Sequence, residues 1–122
     1  MRILVVGDSC KDVFVYGKVN RLTPEAPVPV FNPTVTKTND GMARNVSNNV
    51  EALGVNISTI TNPNSIRKVR YVDDKSNQLV LRVDEHDYCD RIENILLSTI
   101  QNNECHIPWN GKRDFDAVII SD

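Results

Sequence analysis

Two carboxylates stand directly after the first apolar run of the sequence. Asp8 closes the run that begins at Arg2, and Asp12 follows four residues later. Ligands of open α/β sheets bind beyond the carboxyl ends of the strands, and an ionised carboxylate is a pure hydrogen-bond acceptor. Asp8 and Asp12 are therefore candidates for binding sugar hydroxyl groups. The spacing alone favours a simpler interpretation, in which Asp8 caps a turn and Asp12 is exposed.

A second candidate site is the segment from Asp40 to Asn45, at the start of a predicted helix. Gly41 would allow a ligand to approach free backbone N–H groups, and Asn45 in the first turn offers both a donor and an acceptor. An ordinary capped helix explains the same residues. The segment is neither a dinucleotide fingerprint nor a P-loop, because the sequence contains neither pattern.

Three cations form the third candidate. Lys68 and Arg70 share one side of a predicted strand, and Arg82 is predicted on the facing strand. Paired cations suit a phosphate group on a substrate. The charges alone favour a solvated, open hairpin face.

The elements that must position these residues alternate between strand and helix. Arg2–Asp8 is typical of a buried parallel strand, and the alternating prolines of Ala26–Val30 predict an edge strand. Thr38–Gly41 predicts a turn and helix N-cap. The helix that follows has an apolar stripe and ends at Gly54; the stripe comprises Ala43, Val46, Val50 and Leu53.

The rest of the sequence predicts more strands and a second helix. Val55–Thr61 is a β-rich run, and a hairpin with one apolar face spans residues 67–84. Apolar spacing predicts a helix over residues 92–100, followed by a polar loop at 102–113 and a buried strand at Phe115–Ile120. These elements indicate one α/β domain over residues 1–122, with a smaller β appendage.

Composition excludes several functions. The 122 residues carry a net charge of −2 with interspersed signs, which argues against a nucleic-acid or acidic-membrane partner. No apolar stretch approaches a membrane span, and the sequence does not open on a signal peptide. The three cysteines are typical of reduced cytosolic thiols. They show no CxxC spacing. A possible metal set matches no closed zinc pattern; its members are His86, Cys89, Cys105 and His106.

Several segments, taken in order, resemble the PfkB/ribokinase family of carbohydrate kinases, and within it the heptose-7-phosphate kinases of ADP-heptose synthesis. Ile3–Asp8 with Asp12 looks like the family's opening strand and its Gly-Asp-x-x-x-Asp loop. The run Arg21–Val30 is similar to a Pro-Glu-Ala-Pro-Val-Pro-Val segment and is the most specific match. Gly41–Gly54 resembles the glycine-led substrate helix, and the later hairpin is matched by Lys68–Arg70 and Gln78–Asp84.

The resemblance implies a partial ribokinase-like three-layer α/β fold with a small β lid, built from residues of roughly 13–36 and 67–84. It implies transfer of a phosphoryl group from ATP to a sugar phosphate. Asp8, Asp12, Gly41 and Asn45 would line the sugar pocket, with Lys68, Arg70 and Arg82 near it. Lid strands often pair two copies in this family.

The sequence also departs from the family. Met42 and Arg44 replace small residues, and only Asn62-Pro63-Asn64 stands where the family has a further helix and strand. The family's Gly-Ala-Gly-Asp anion hole, catalytic aspartate and ATP site are expected beyond Asp122.

We therefore expect no catalytic residue, metal, ATP or Mg²⁺ site in this chain alone. The expected function is that of a cytoplasmic, sugar-binding half of a kinase that needs a second chain for activity. The alternatives are a non-catalytic sugar-phosphate or dimerisation module, or a decayed fragment.

Overall fold

The computed structural model describes residues 1–89 and 115–121. These residues form seven strands and one helix. In chain order they are β1 (Arg2–Gly7), β2 (Ser9–Leu22), β3 (Pro29–Met42), α1 (Ala43–Glu51), β4 (Asn56–Ile60), β5 (Ile66–Asp73), β6 (Leu79–Glu85) and β7 (Ala117–Ser121). The predicted α/β class is confirmed. The predicted helix at 92–100 and loop at 102–113 lie outside the described residues.

A parallel sheet in the order β4-β1-β7 forms one half of the molecule. Strand β1 is central and continuously apolar, because a strand of a parallel sheet is covered on both faces. Val5 is completely buried, and Leu4 and Val6 are buried on the opposite face. The predicted opening strand is confirmed, and its carboxyl end leads directly into β2.

Helix α1 covers one face of this sheet. Ala43, Val46 and Val50 pack against a cluster that includes Ile3 and Val5. The predicted stripe therefore holds for three of its residues, whereas Leu53 is 79% exposed. The helix ends before Gly54, whose φ of +77° is a left-handed conformation that glycine adopts without steric cost.

The predicted turn and N-cap at Thr38–Gly41 are wrong. These residues belong to β3, which stays paired with β2 as far as Met42 opposite Ser9. No side chain caps the helix. The first helical N–H, that of Ala43, instead donates to the carbonyl of Asp8 at 2.8 Å. A long-range strand register thus overrides the local turn signal of Asn39-Asp40-Gly41.

A second, four-stranded sheet has the order β3-β2-β5-β6. β2 and β3 form a 14-residue antiparallel ribbon, β5 runs parallel to β2, and β5 and β6 form the predicted hairpin. The sheet includes the residues predicted as lid strands, and β2 and β3 extend beyond the predicted range of 13–36 at both ends. Strand β3 is an edge strand as the prolines indicated. It begins at Pro29, three residues later than predicted, and Pro33 lies beside an irregularity in the β2–β3 register.

Strand β7 lies where a final strand was predicted, but the prediction that it is buried is wrong. Val118 is 58% exposed and Ile120 82% exposed. Both are register partners of β1 residues on the face opposite helix α1, and β7 is an edge strand. Only Ile119, on the other face, reaches the cluster beneath the helix. No helix within the described residues is long and apolar enough to cross a membrane.

Candidate functional site

The four-stranded sheet has two chemically different faces. Side chains alternate between faces along a strand, and residues in direct register share a face. The charged face carries Asp12, Lys68, Arg70, Arg82 and Asp84. The apolar face carries Val13, Val15, Val69, Tyr71, Leu81 and Val83. Gly41 is opposite Cys10, two residues before Asp12, and lies on the charged face as well. Five of the seven predicted site residues therefore lie on one face of one sheet.

A cleft of about 590 Å³ lies between strands β2 and β3 and the start of helix α1. It contains three predicted site residues, namely Asp12, Gly41 and Asn45, and its other lining residues are Phe14, Thr38, Asn39, Asp40, Met42 and Asn48. The lining is rich in carboxylates and amides, which supply both acceptors and donors. This chemistry matches a ligand with several hydroxyl groups.

Asp12 is the point where the cleft meets the charged face. Its Oδ1 accepts a hydrogen bond from the Arg70 guanidinium at 2.5 Å, and both side chains are 26% exposed. Arg70 also lies over the ring of Phe14, with 5.2 Å between the guanidinium carbon and the ring centroid. Arg70 itself does not line the cleft.

The other two cations lie next to this pair. Arg82 is directly opposite Arg70 in the β5–β6 register. Asp84 holds it with two bonds, of 2.8 Å from Nε and 2.9 Å from a terminal nitrogen. Because of Arg82, the pKa of Asp84 lies below its usual range. Lys68 lies in register between Asp12 and Asp84.

Asp8 lies apart from the other predicted residues. It does not line the cleft, and its carbonyl accepts the bond from the first N–H of α1. The structure thus brings together six of the seven residues, and the seventh connects β1 to the helix through its backbone.

Asp40 begins the second candidate segment but was given no binding role from the sequence, and it also lines the cleft. Its carboxylate accepts hydrogen bonds from Lys11 and, at 3.0 Å, from Asn48. Bonds from Lys11 and then Asn48 lower its pKa. Lys11 and Asp40 are opposite each other in the β2–β3 register, so only correct strand pairing could have revealed them.

The metal-binding residue types are dispersed over the part of the chain that the structure describes. Within that part, no group of three His, Cys, Asp or Glu side chains is placed to hold a metal ion. Cys10 is a buried thiol whose pKa is raised, mainly by that burial. Cys105 and His106 lie outside the described residues. The acceptors of the cleft suit hydroxyl groups.

The apolar face holds a separate groove of about 590 Å³. Its lining includes Val15, Phe31, Tyr71 and Leu81. Phe31 and Tyr71 meet edge to face, with ring centroids 5.3 Å apart. Two of its large apolar lining side chains stay exposed, Leu81 at 55% and Val28 at 52%.

Part of this sequence is similar to bifunctional HldE proteins and to a heptose 7-phosphate kinase. Over 52 residues, 43% of this chain, it is 52% identical to the bifunctional protein HldE of Bradyrhizobium sp. (strain ORS 278). Over 59 residues, 48% of this chain, it is 46% identical to the D-beta-D-heptose 7-phosphate kinase of Bordetella bronchiseptica. These matches span 11% and 19% of those proteins. The predicted resemblance is thus confirmed over part of the chain. No family model matches.

Solved structures of sugar kinases are also similar to this chain. A carbohydrate kinase from Agrobacterium tumefaciens aligns with a TM-score of 0.42 and 15% identity, covering 70% of this chain and 36% of that one. Ribokinase from Thermotoga maritima aligns with a TM-score of 0.40 and 16% identity, covering 68% and 35%.

Proposed function

We propose that this chain binds a sugar phosphate, as the sugar-binding half and lid of a kinase-like protein similar to heptose 7-phosphate kinases. The observation that carries the proposal is the convergence of Asp12, Gly41 and Asn45 on one cleft, beside a face with three cations. Sugar hydroxyls would donate to Asp12 and exchange bonds with Asn45. The phosphate would lie over the cations.

Phosphoryl transfer from ATP needs more than this cleft. It depends on positioning the phosphate chain and on stabilising the charge of the transition state. The proposal assigns these tasks to polypeptide outside the described residues, such as a second chain that binds ATP. It assigns substrate binding, but not transfer, to the cleft and the lid.

The test is an amide NMR titration of the folded chain with heptose 7-phosphate in the absence of ATP. We expect shifts at Gly41 and Asn45 that saturate with ligand. Asp12→Asn should weaken binding at least about tenfold, because it removes a charged acceptor. Asp74→Asn is the matched control, since Asp74 lies at the other end of the sheet near Thr34. A well-dispersed spectrum that does not respond to the sugar phosphate would refute the proposal.

A second candidate function is pairing of two copies through the apolar face. It is favoured by the exposed groove around Tyr71 and Leu81, because apolar patches of this kind mark interaction surfaces in soluble proteins. Sedimentation velocity over a concentration series should show a dimer. Leu81→Asp should abolish it, whereas Leu53→Asp, a substitution at an exposed residue of a different surface, should not. A monomer at all concentrations would rule this function out.

A further inference from the structure

The three cations of the charged face differ in their partners. Arg70 is bonded to Asp12 and Arg82 to Asp84. Within residues 1–89 and 115–121, Lys68 forms no ion pair. We infer, on the basis of the proposed function, that Arg70 is a positioning residue for Asp12 and that Lys68 is the cation that binds the substrate phosphate.

The Asp12 carboxylate is held from two sides. Arg70 bonds to Oδ1, while Oδ2 lies so close to Gly41 that a β-carbon there would be 2.5 Å from it. The carboxylate therefore has one orientation. The Arg70 guanidinium holds one oxygen, and the other occupies the space that a side chain at position 41 would fill. Asp12 and Gly41 line the cleft and Arg70 does not, so Arg70 acts on a ligand through Asp12.

Arg70 is poorly suited to bind phosphate itself. Moving to an anion would break its bond to Asp12 and its contact with Phe14. It would also leave a half-buried carboxylate without its partner, which is unfavourable. Arg82 has the same restriction, because both of its bonds to Asp84 would be lost.

Lys68 has no such restriction. It is the register neighbour of Asp12 on the adjacent parallel strand and is half-buried. Its ammonium group is a point charge on a flexible stem. A sugar whose hydroxyls donate to Asp12 would bring a phosphate on a more distant carbon over β5, where Lys68 lies. The structure thus separates recognition of the hydroxyls from recognition of the phosphate.

The test compares two ligands, heptose 7-phosphate and unphosphorylated heptose, by NMR titration of the whole chain. Arg70→Gln should weaken both about tenfold and leave their affinity ratio unchanged, since it disturbs Asp12 alone. Lys68→Gln should weaken only the phosphorylated sugar, by about tenfold. Arg67→Gln is the matched control and should change neither affinity, because Arg67 lies on the same strand but on the opposite face, where it pairs with Glu85.

Two further variants separate positioning from a general structural effect. Arg70→Lys keeps a donor for Oδ1 and should recover part of the lost affinity. In the double variant Arg70→Gln with Asp12→Asn, the losses should not add, because both substitutions remove the same interaction. If Arg70→Gln does not fold, Arg70→Lys decides alone, since it should weaken both ligands equally.

The possible outcomes distinguish this inference from the proposed function. If the natural chain binds neither ligand, the proposed function fails. If it binds both and Arg70→Gln or Arg70→Lys selectively loses the phosphorylated sugar, Arg70 is a phosphate ligand and the inference is overturned. Unchanged binding by Lys68→Gln would overturn the assignment of Lys68.

Discussion

The charged and apolar faces of the four-stranded sheet arise from the same strands but are stabilised in different ways. On the charged face, Arg70 and Arg82 each have a carboxylate partner, so the face is stable in water without a cover. On the apolar face, Val69 is buried but Leu81 is not, so part of that face remains in contact with water. The first arrangement suits exchange with a small polar ligand, whereas the second suits a protein partner.

The largest effect is expected where a methyl group is added to the charged face. In Gly41→Ala the new β-carbon would meet Asp12 Oδ2 at 2.5 Å and Cys10 Sγ at 2.6 Å. Overpacking of this kind costs about 1–3 kcal/mol of unfolding free energy. It should also turn Asp12 away from the cleft, so sugar-phosphate affinity should fall at least about tenfold. Urea unfolding and NMR titration measure the two effects.

Gly54→Ala is the control for this substitution. Its β-carbon would have no atom within 4 Å, but φ is +77°. The variant should therefore lose about 1 kcal/mol of stability through backbone strain and bind sugar phosphate normally. If Gly41→Ala bound as well as Gly54→Ala, the two-sided constraint on Asp12 would be wrong.

The next largest effect compares an interior strand and an edge strand of the apolar face. Val69→Ala removes packed methyl groups from a side chain that is 3% exposed, and should cost about 1–2 kcal/mol. Leu81→Ala removes more atoms, but from a side chain that is 55% exposed, and should cost less than about 0.5 kcal/mol in the monomer. Urea unfolding at low protein concentration checks both. Equal losses of unfolding free energy in the two variants would show that Leu81 is also packed in solution.

The elements that are marked by a local pattern of apolar residues or by a glycine could be predicted from the sequence. The continuous apolar run of β1, the alternation in the β5–β6 hairpin and the glycine after α1 all reflect local rules of burial and backbone conformation. The prolines correctly placed β3 at an edge. These features need no knowledge of which strand lies beside which.

The features that depend on strand register could not be predicted. Asn39-Asp40-Gly41 has the composition of a turn, yet pairing with β2 keeps it extended. The pairs Asp12–Arg70 and Lys11–Asp40 join residues 58 and 29 positions apart. The alternation of the hairpin correctly placed Lys68, Arg70 and Arg82 on one face, but it could not show which of these cations is already bound to a carboxylate.

The smallest expected effect lies on the charged face, at the pair of Arg82 and Asp84. Both side chains are partly in contact with water, so Arg82→Gln should change stability at neutral pH only slightly.

The pH dependence of this stability difference is more informative. The pKa of Asp84 is lowered in the folded chain, first by its bond from Arg82, so the unfolded chain binds a proton more readily. The contribution of the pair is therefore present above the ordinary pKa of about 3.8 and is lost as the pH falls through the lowered value. The difference between the natural chain and Arg82→Gln in urea midpoint should be present at neutral pH and should close as the pH is lowered below about 3.8. A difference that persists at pH 2 would mean that Arg82 stabilises the face by packing and not by charge, and the contrast between the two faces would then be weaker than their composition indicates.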